Sequence, residues 1–207
     1  MRSRPNPAKE VTVLAYGAGN TASVQFALER LGATVRLTAD PAAVANAERL
    51  ILPGVGAAGY AMSRLRDFGL VQPIRSFERP LLGVCLGQQL LFGASDEGGS
   101  VGLLDFIPGH VRPIIPAPDR PVPHMGWSRL SRLRDDPLLE GVEDGAWAWF
   151  VHGFVCPDGP ATLARAEYGG PVPAVVRSGN RWGCQFHPER SAATGARILK
   201  NFLELPA

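Results

Sequence analysis

The sequence lacks any apolar run of the roughly 20 residues that a membrane-spanning helix needs, and it carries little net charge. Its 21 basic and 19 acidic residues give a formal net charge of +2, and the basic residues are scattered rather than clustered. Because nucleic-acid binding needs a basic face, a nucleic-acid partner is not indicated. An apolar content of 45% excludes an intrinsically disordered chain.

Cysteine is also scarce, with three residues at Cys85, Cys156 and Cys184. Three cysteines cannot all pair within one chain, and no Cys-x-x-Cys or Cys/His spacing indicates a zinc site. We therefore expect no metal centre. The start of the sequence does not resemble a secretory signal, so a reducing cytoplasm is the expected location.

The first hundred residues alternate short apolar runs with amphipathic segments. Asn20 is predicted as the N-cap of a helix that ends near Gly32, and a second helix is predicted over residues 59–65. This alternation implies right-handed βαβ units around a parallel sheet. The apolar runs predicted as strands are residues 11–16, 34–38, 50–52 and 80–84.

The second half carries short β-prone runs separated by proline and glycine, which predict antiparallel hairpins and mixed strands. These runs are residues 111–115, 148–151, 174–176 and 182–186, followed by a closing helix over 194–205. The predicted fold class is α/β, a three-layer αβα sandwich with a mostly parallel central sheet, plus a smaller antiparallel or mixed sheet. We expect a flexible tail over residues 1–10 and a single domain over residues 11–206.

Cys85 has the sequence environment of a nucleophile. Gly83 and Gly87 lie two residues to either side of it, after a buried apolar run and before a predicted helical run over residues 88–92. This is the pattern of a G-x-nucleophile-x-G elbow, and a helix N-terminus beneath the sulfur favours the reactive thiolate. A lone free cysteine is more often a buried structural residue, but the two glycines favour the nucleophile interpretation here.

A base for that nucleophile is indicated at His187, which is followed by Pro188 and Glu189 near the end of the predicted strand 182–186. Period-two strand geometry would place His187 and Glu189 on one side, where the carboxylate orients the imidazole. Taken alone, a His-x-Glu pair is more often an ordinary surface pair. We expect His124 and His152 to be structural histidines with satisfied hydrogen bonds.

Gly54 and Gly56 flank Val55 directly after the third predicted strand. Glycines allow backbone N–H groups to point into a cleft, so these residues and the N–H of Leu86 could form an oxyanion hole. Taken alone, the Gly-Val-Gly triplet is better explained by a plain βα turn. A competing interpretation treats residues 17–22 as a dinucleotide-binding G-x-G-x-x-G loop, but an isolated match of this kind is weak.

Six segments together carry a resemblance to a known family. Three of these segments, GVCLGQQ at 83–89, PGVG at 53–56 and QFHPERS at 185–191, resemble motifs of the class I, triad-type glutamine amidotransferases. A narrower resemblance, to the glutaminase subunit of imidazole glycerol phosphate synthase, rests on YGAGN at 16–20, LPGVGA at 52–57 with Met62 after it, PHMGW at 123–127 and FVH at 150–152.

The resemblance implies that Cys85 attacks the side-chain amide of L-glutamine, that His187 acts as general base and then acid, and that Glu189 orients the imidazole. A γ-glutamyl thioester and ammonia form, and water then releases glutamate. No cofactor is implied. The implied oxyanion residues are Val55, Gly56 and Leu86, and the implied glutamine-binding residues are Gly54, Gln89, Gly153 and Phe154.

The resemblance also implies a partner, a separate (β/α)8 cyclase subunit in a heterodimer. That partner uses the ammonia to make imidazole glycerol phosphate and aminoimidazole carboxamide ribotide in histidine biosynthesis. Asn20, Met125 and Trp127 are expected at the interface. The chain departs from the family pattern at Gln88 for Met, Ser128 for Asn and Gly153 for Ser, among other positions, none of which belongs to the triad.

Three alternatives remain open: an amidotransferase subunit serving another synthase, a catalytically silent interaction subunit, and a stand-alone thiol hydrolase. The PHMGW and YGAGN motifs disfavour the first, and the intact triad disfavours the second. The third would need no partner. Because glycines flank Val55, we predict that its peptide is misoriented until the partner docks.

Overall fold

An eight-stranded sheet organises the computed structural model of the chain, which describes residues 9–206. In chain order the strands are β1 (Glu10–Leu14), β2 (Thr34–Thr38), β3 (Leu50–Gly54), β4 (Leu81–Cys85), β5 (Phe92–Ser95), β6 (Val101–Gly102), β7 (Ile107–Pro113), β8 (His124–Arg129), β9 (Ser131–Arg132), β10 (Trp147–His152), β11 (Phe154–Val155), β12 (Thr162–Glu167), β13 (Pro171–Ser178) and β14 (Arg181–Cys184). The helices are α1 (Thr21–Arg30), α2 (Pro41–Asn46), α3 (Ala58–Asp67), α4 (Val71–Arg75), α5 (Leu86–Gln89) and α6 (Ala192–Glu204), with 3₁₀ turns at Pro137–Leu139 and Pro188–Arg190.

The large sheet has the strand order β2-β1-β3-β4-β14-β13-β12-β9. The first five strands in this order, β2 to β14, pair in parallel. From β14 onward the sheet continues through β13, β12 and β9 with antiparallel pairs. β3 and β4 are buried along their whole length, as expected of near-continuous apolar runs in the middle of a parallel sheet. Because β3 and β4 pair in parallel, their carboxyl ends lie at the same edge of the sheet. Ligand sites in open α/β folds form at this edge.

Helices cover both faces of this sheet. The face shared by Val13, Ile51 and Leu82 packs against α1 and α6, whereas the opposite face packs against α2, α3 and α4. Side chains alternate between the faces because successive residues of a strand point in opposite directions. The α/β fold class and the layered, mostly parallel sheet are confirmed.

Two smaller sheets lie beside the large one. β8 and β10 form an antiparallel ribbon, and β11-β7-β5-β6 form a mixed four-stranded sheet. Among the described residues, no helix has the length and apolar character needed to cross a membrane.

The structure corrects three local predictions. The helical run predicted over residues 88–92 is wrong, since α5 is a single turn and Phe92 begins β5. The Leu91 carbonyl accepts from the N–H groups of Phe106 and Ile107, which commits the chain to the small sheet. Strand β14 ends at Cys184 rather than at 186. Of the predicted tail, residues 1–8 lie outside the described residues, while Glu10 already belongs to β1.

Candidate active site

Cys85 lies at a sharp turn between β4 and α5. Its backbone has φ +55° and ψ −109°, a conformation that non-glycine residues rarely adopt. Such a conformation costs about 1–3 kcal/mol and persists only where the surroundings enforce it. The strand and the single helical turn on either side of Cys85 hold it in place.

Glycines allow α5 to lie directly on the sheet. A Cβ on Gly54 of β3 would lie 2.7 Å from the backbone nitrogen of Gly87, and a Cβ on Gly87 would overlap the carbonyl oxygen of Leu52. A Cβ on Gly83 would overlap the Gly87 carbonyl. Gly54 is buried beneath α5 and does not line the cavity described below, and its predicted role beside glutamine stays a prediction.

His187 and Glu189 are in direct contact. Nδ1 of His187 lies 2.8 Å from Oε1 of Glu189, and both side chains are almost fully buried. Pro188 begins a 3₁₀ turn, so this contact arises from a tight turn and not from the period-two strand geometry that the sequence suggested. The backbone N–H of His187 donates to the Trp149 carbonyl at 2.9 Å, which fixes the turn against β10.

The electrostatics of His187 favour its protonated form. Burial disfavours the imidazolium, but hydrogen bonds to the Cys85 and Glu189 side chains outweigh burial and raise the pKa of His187 well above its ordinary value. Because Nδ1 faces Glu189, Nε2 is the nitrogen left to face Cys85. A protonated His187 stabilises a thiolate at Cys85.

The sulfur of Cys85 has two further polar neighbours. It lies 3.7 Å from the Val151 carbonyl oxygen, toward which the thiol can donate, and 3.9 Å from Nε2 of Gln185. The other two cysteines are buried apart from the cavity, and all three are free. Burial raises the pKa of Cys156 to about 12 and that of Cys184 further still, so both stay protonated and inert near neutral pH.

The backbone of Val55 does not point toward the sulfur. Its N–H donates to the Ala18 carbonyl at 2.9 Å, and its side chain is 41% exposed. Gly56 follows with φ +87° and open space around its Cβ position. Two residues before Val55, the carbonyl of Pro53 accepts a hydrogen bond from the Tyr16 hydroxyl at 2.8 Å. In this structure the Val55 amide is thus committed to Ala18 instead of to a ligand.

A cavity of about 370 Å³ opens at the carboxyl ends of β3 and β4. It brings together most of the residues predicted for the site, along with Asn20 from the predicted interface. The lining residues are Asn20, Val55, Gly56, Cys85, Leu86, Gln89, Glu97, Pro123, Val151, His152, Gly153, Phe154, His187, Glu189 and Arg190.

Several of these lining residues were not predicted from the sequence, and Glu97 is the most important of them. Glu97 follows β5 in a turn, and its Oε2 accepts from the Ala58 N–H at 2.7 Å, at the start of α3. Burial raises the pKa of Glu97. No motif marks this residue, because only the return of β5 and β6 beside α3 brings it to the cavity.

His152 and His124 form a buried hydrogen-bond chain beside the cavity. His152 Nδ1 lies 2.8 Å from the Phe154 carbonyl, which can only accept, so this nitrogen carries the hydrogen. His152 Nε2 therefore accepts from His124 Nδ1 at 2.9 Å. His124 Nε2 in turn accepts from the Ser128 hydroxyl at 2.8 Å. Both histidines thus have hydrogen-bond partners, and burial lowers the pKa of each to about 4.

One face of the β8–β10 ribbon is exposed and rich in apolar side chains. Met125 is 62% exposed and Trp127 46% exposed, and Trp127 packs edge-on against Trp149 with ring centroids 5.8 Å apart. Arg129 stacks over Trp147 on the same face. Met125 and Trp127 lie outside the cavity, whereas Asn20 caps α1 and also borders the cavity.

Comparisons with known proteins agree with these features. The family model described as glutamine amidotransferase class-I matches residues 12–205. The imidazole glycerol phosphate synthase subunit HisH of Xanthomonas axonopodis pv. citri is 53% identical over 196 residues, which cover 95% of this chain and 98% of that protein. The subunit of the same description from Xylella fastidiosa is 51% identical over 198 residues, covering 96% and 98%.

Solved structures show the same fold. A crystal structure of a glutamine amidotransferase has a TM-score of 0.72 at 25% identity, covering 94% of this chain and 97% of that one. PurLQS from Thermotoga maritima has a TM-score of 0.71 at 20% identity, covering 95% and 98%.

Proposed function

The chain belongs to the class-I glutamine amidotransferase family, and from that premise we propose that it is the glutaminase subunit of imidazole glycerol phosphate synthase. The observation that carries this proposal is the meeting of Cys85, His187 and Glu189 at one cavity in a chain about half identical to HisH subunits. We further propose that residues 11–206 form one amidotransferase domain.

In the proposed reaction the Cys85 sulfur attacks the side-chain amide carbon of L-glutamine. The thiol proton moves to His187, and the C–N bond breaks as His187 returns that proton to the departing ammonia. The product is a γ-glutamyl thioester. Water then attacks the thioester with His187 as base, which releases glutamate and regenerates Cys85. Glu189 keeps the imidazole oriented and stabilises its protonated form.

The negative oxygen of each tetrahedral intermediate needs two donors. Leu86 follows the nucleophile and lines the cavity, so its N–H supplies one. The Val55 N–H would supply the second only after its bond to Ala18 breaks, and Gly56 gives the adjoining backbone freedom to turn. This arrangement supports a subunit that hydrolyses glutamine slowly until docking reorients the Val55 peptide.

The α-groups of glutamine would meet the outer cavity. The carboxylates among the lining residues are Glu97 and Glu189, and Glu189 is already paired with His187. The glutamine α-ammonium would therefore lie toward Glu97. Gly153 and Phe154 carry no charged side chain, so they would contribute backbone groups to the α-carboxylate.

The partner would dock on the exposed ribbon face beside the cavity. Met125 and Trp127 supply large apolar contact area of the kind found at interface hot spots, and Asn20 is one of the residues that line the cavity. The proposed partner is the (β/α)8 cyclase subunit, which receives the ammonia in a heterodimer. We propose a cytoplasmic location, where three free thiols would stay reduced.

One experiment separates the candidate functions. Glutamate release from L-glutamine is measured for the chain alone and with its cognate cyclase, and again with Cys85→Ala. We expect strong partner-dependent activity that Cys85→Ala reduces by about 10⁴-fold or more. Full activity without the cyclase would instead indicate a stand-alone hydrolase. A folded chain that stays inactive beside the cyclase, or a Cys85→Ala variant that stays active, would overturn the proposal.

A further inference from the structure

Gln185 contacts the nucleophile from a fully buried position. It follows β14, two residues before His187, and its Nε2 lies 3.9 Å from the Cys85 sulfur. Its backbone N–H is bound to the Ala174 carbonyl at 2.9 Å, so the residue is fixed at both ends. The reaction described above gives Gln185 no part.

The direction in which the Gln185 amide points follows from its neighbours. The Phe154 carbonyl can only accept, so the group of Gln89 that lies 3.1 Å from it is the NH₂ group. The same NH₂ group lies 3.0 Å from Gln185, which must therefore present its oxygen to Gln89. That leaves the NH₂ group of Gln185 facing the sulfur. A flipped Gln185 would set two donors against each other.

We propose that Gln185 is the hydrogen-bond donor that stabilises the Cys85 thiolate, and that Gln89 holds its amide in the donating orientation. This inference rests on the proposed function, because it takes Cys85 as the nucleophile.

The contacts of the sulfur change when it ionises. The thiol can donate to the Val151 carbonyl, whereas a thiolate has no hydrogen to donate and gains nothing from that oxygen. The N–H of Gln185, by contrast, binds a charged acceptor more strongly than a neutral one. Gln185 therefore favours the ionised form, as any hydrogen bond to a charged species does.

The same bond serves both halves of the reaction. It stabilises the attacking thiolate, and it weakens when the sulfur becomes a neutral thioester. It strengthens again when water expels the sulfur as a thiolate, so Gln185 also improves the leaving group. No other reactant is required, since the thiol proton still passes to His187.

The test measures the ionisation of Cys85 directly. The rate of alkylation by iodoacetamide is followed across pH by intact-protein mass spectrometry in the full chain, with Cys85→Ala giving the background from Cys156 and Cys184. In Gln185→Met, an apolar side chain of similar length replaces the donor. We expect the midpoint of alkylation to rise by about one pH unit, and turnover with the cyclase to fall about tenfold with little change in KM.

Gln88→Met is the matched control. Gln88 is an equally buried glutamine in α5, and its amide donates to the Pro173 carbonyl at 2.9 Å. It also lies 3.7 Å from the Cys156 sulfur but makes no hydrogen bond to the Cys85 sulfur. Its alkylation midpoint should match that of the unmodified chain. The ionisable groups around the sulfur, namely His187, Glu189, His152 and Cys156, are the same in both variants.

Gln185→Glu is a second, nearly isosteric variant in case Gln185→Met does not fold. It places a carboxyl group where the donor was, so its midpoint should rise further. Unchanged midpoints in the folded Gln185 variants, with glutamine turnover still abolished by Cys85→Ala, would overturn this inference alone. Turnover that survives Cys85→Ala would overturn the proposed function instead.

Discussion

Two loops at the ends of neighbouring strands face the same cavity and differ in how firmly they are held. The elbow after β4 keeps Cys85 only 7% exposed, in a strained conformation beneath a helix that packs on glycines. The loop after β3 leaves Val55 41% exposed, with its amide held by the Ala18 carbonyl. The proposed nucleophile is thus preorganised in the resting chain, whereas the second proposed oxyanion donor is not.

This difference separates two kinds of variant. A change on the fixed elbow side should lower the basal and the partner-stimulated glutaminase rates by the same factor. A change in the Val55 loop should alter the ratio of the two rates, because the rearrangement proposed to accompany docking lies in this loop.

The largest difference between the two loops is expected when one glycine of each loop is replaced by alanine. Gly87→Ala drives a Cβ into the Leu52 carbonyl, so the free energy of unfolding should fall by more than about 3 kcal/mol. The Cβ of Gly56→Ala meets no atom within 4 Å, but its φ of +87° disfavours alanine. The free energy of unfolding of this variant should therefore fall by about 1 kcal/mol. Its stimulated-to-basal ratio should fall several-fold. Urea unfolding and glutamate release measure both effects.

Gly102→Ala is the control for that pair, since Gly102 also has no atom within 4 Å of its Cβ position and its backbone φ is not positive. It should leave both stability and the rate ratio unchanged. Equal destabilisation by Gly87→Ala and Gly56→Ala would show that the two loops are held alike.

Glu189→Gln tests the rigid part of the site, because Glu189 is buried against His187. The amide cannot support the imidazolium as the carboxylate does, so both rates should fall by at least about 100-fold with their ratio preserved. Removing Glu189 lowers the raised pKa of His187, and activity at alkaline pH should therefore be lost at a lower pH than in the unmodified chain. A pH profile of kcat/KM checks this. A changed ratio would mean that Glu189 also contributes to activation.

The smallest expected effect concerns the histidine chain beside the cavity. Burial lowers the pKa of His124 and His152 to about 4, against about 6.5 in the unfolded chain. Their contribution to stability is therefore complete above pH 6.5 and is lost as the pH falls toward 4. At pH 5 the loss should reach up to about 2 kcal/mol per histidine.

Urea midpoints at pH 7 and pH 5 measure that loss. His124→Phe should be less stable at pH 7 but should lose less stability on acidification. Equal pH dependence in His124→Phe and the unmodified chain would show that His124 does not carry the effect.

The order of elements was accessible from sequence because apolar runs and glycines are local signals. The spacing of Gly83, Cys85 and Gly87 predicted a turn that the structure contains, and Asn20 caps α1 as predicted, with its side chain accepting from the Ser23 N–H. These features need no knowledge of distant residues.

Contacts between distant residues were not accessible. Gln89 and Gln185 are 96 positions apart, and they meet only because β14 inserts beside β4 in a particular register. Glu97 reaches the cavity through the return of a small hairpin. The contact of Gly54 with α5 was also not predicted, because spacing cannot distinguish a glycine that faces a ligand from one that lies beneath a helix.

The glycines that support α5 also bear on how relatives of this chain can be interpreted. Gly83, Gly87 and Gly183 serve packing, since a Cβ at Gly183 would lie 2.6 Å from Cγ of Gln88. Cys85 carries the proposed chemistry, and the close approach of α5 to the sheet depends on these glycines and not on the Cys85 sulfur. A homologous gene that has lost Cys85 but keeps these glycines would therefore encode a folded, silent subunit. One that has also lost the glycines would no longer encode this architecture.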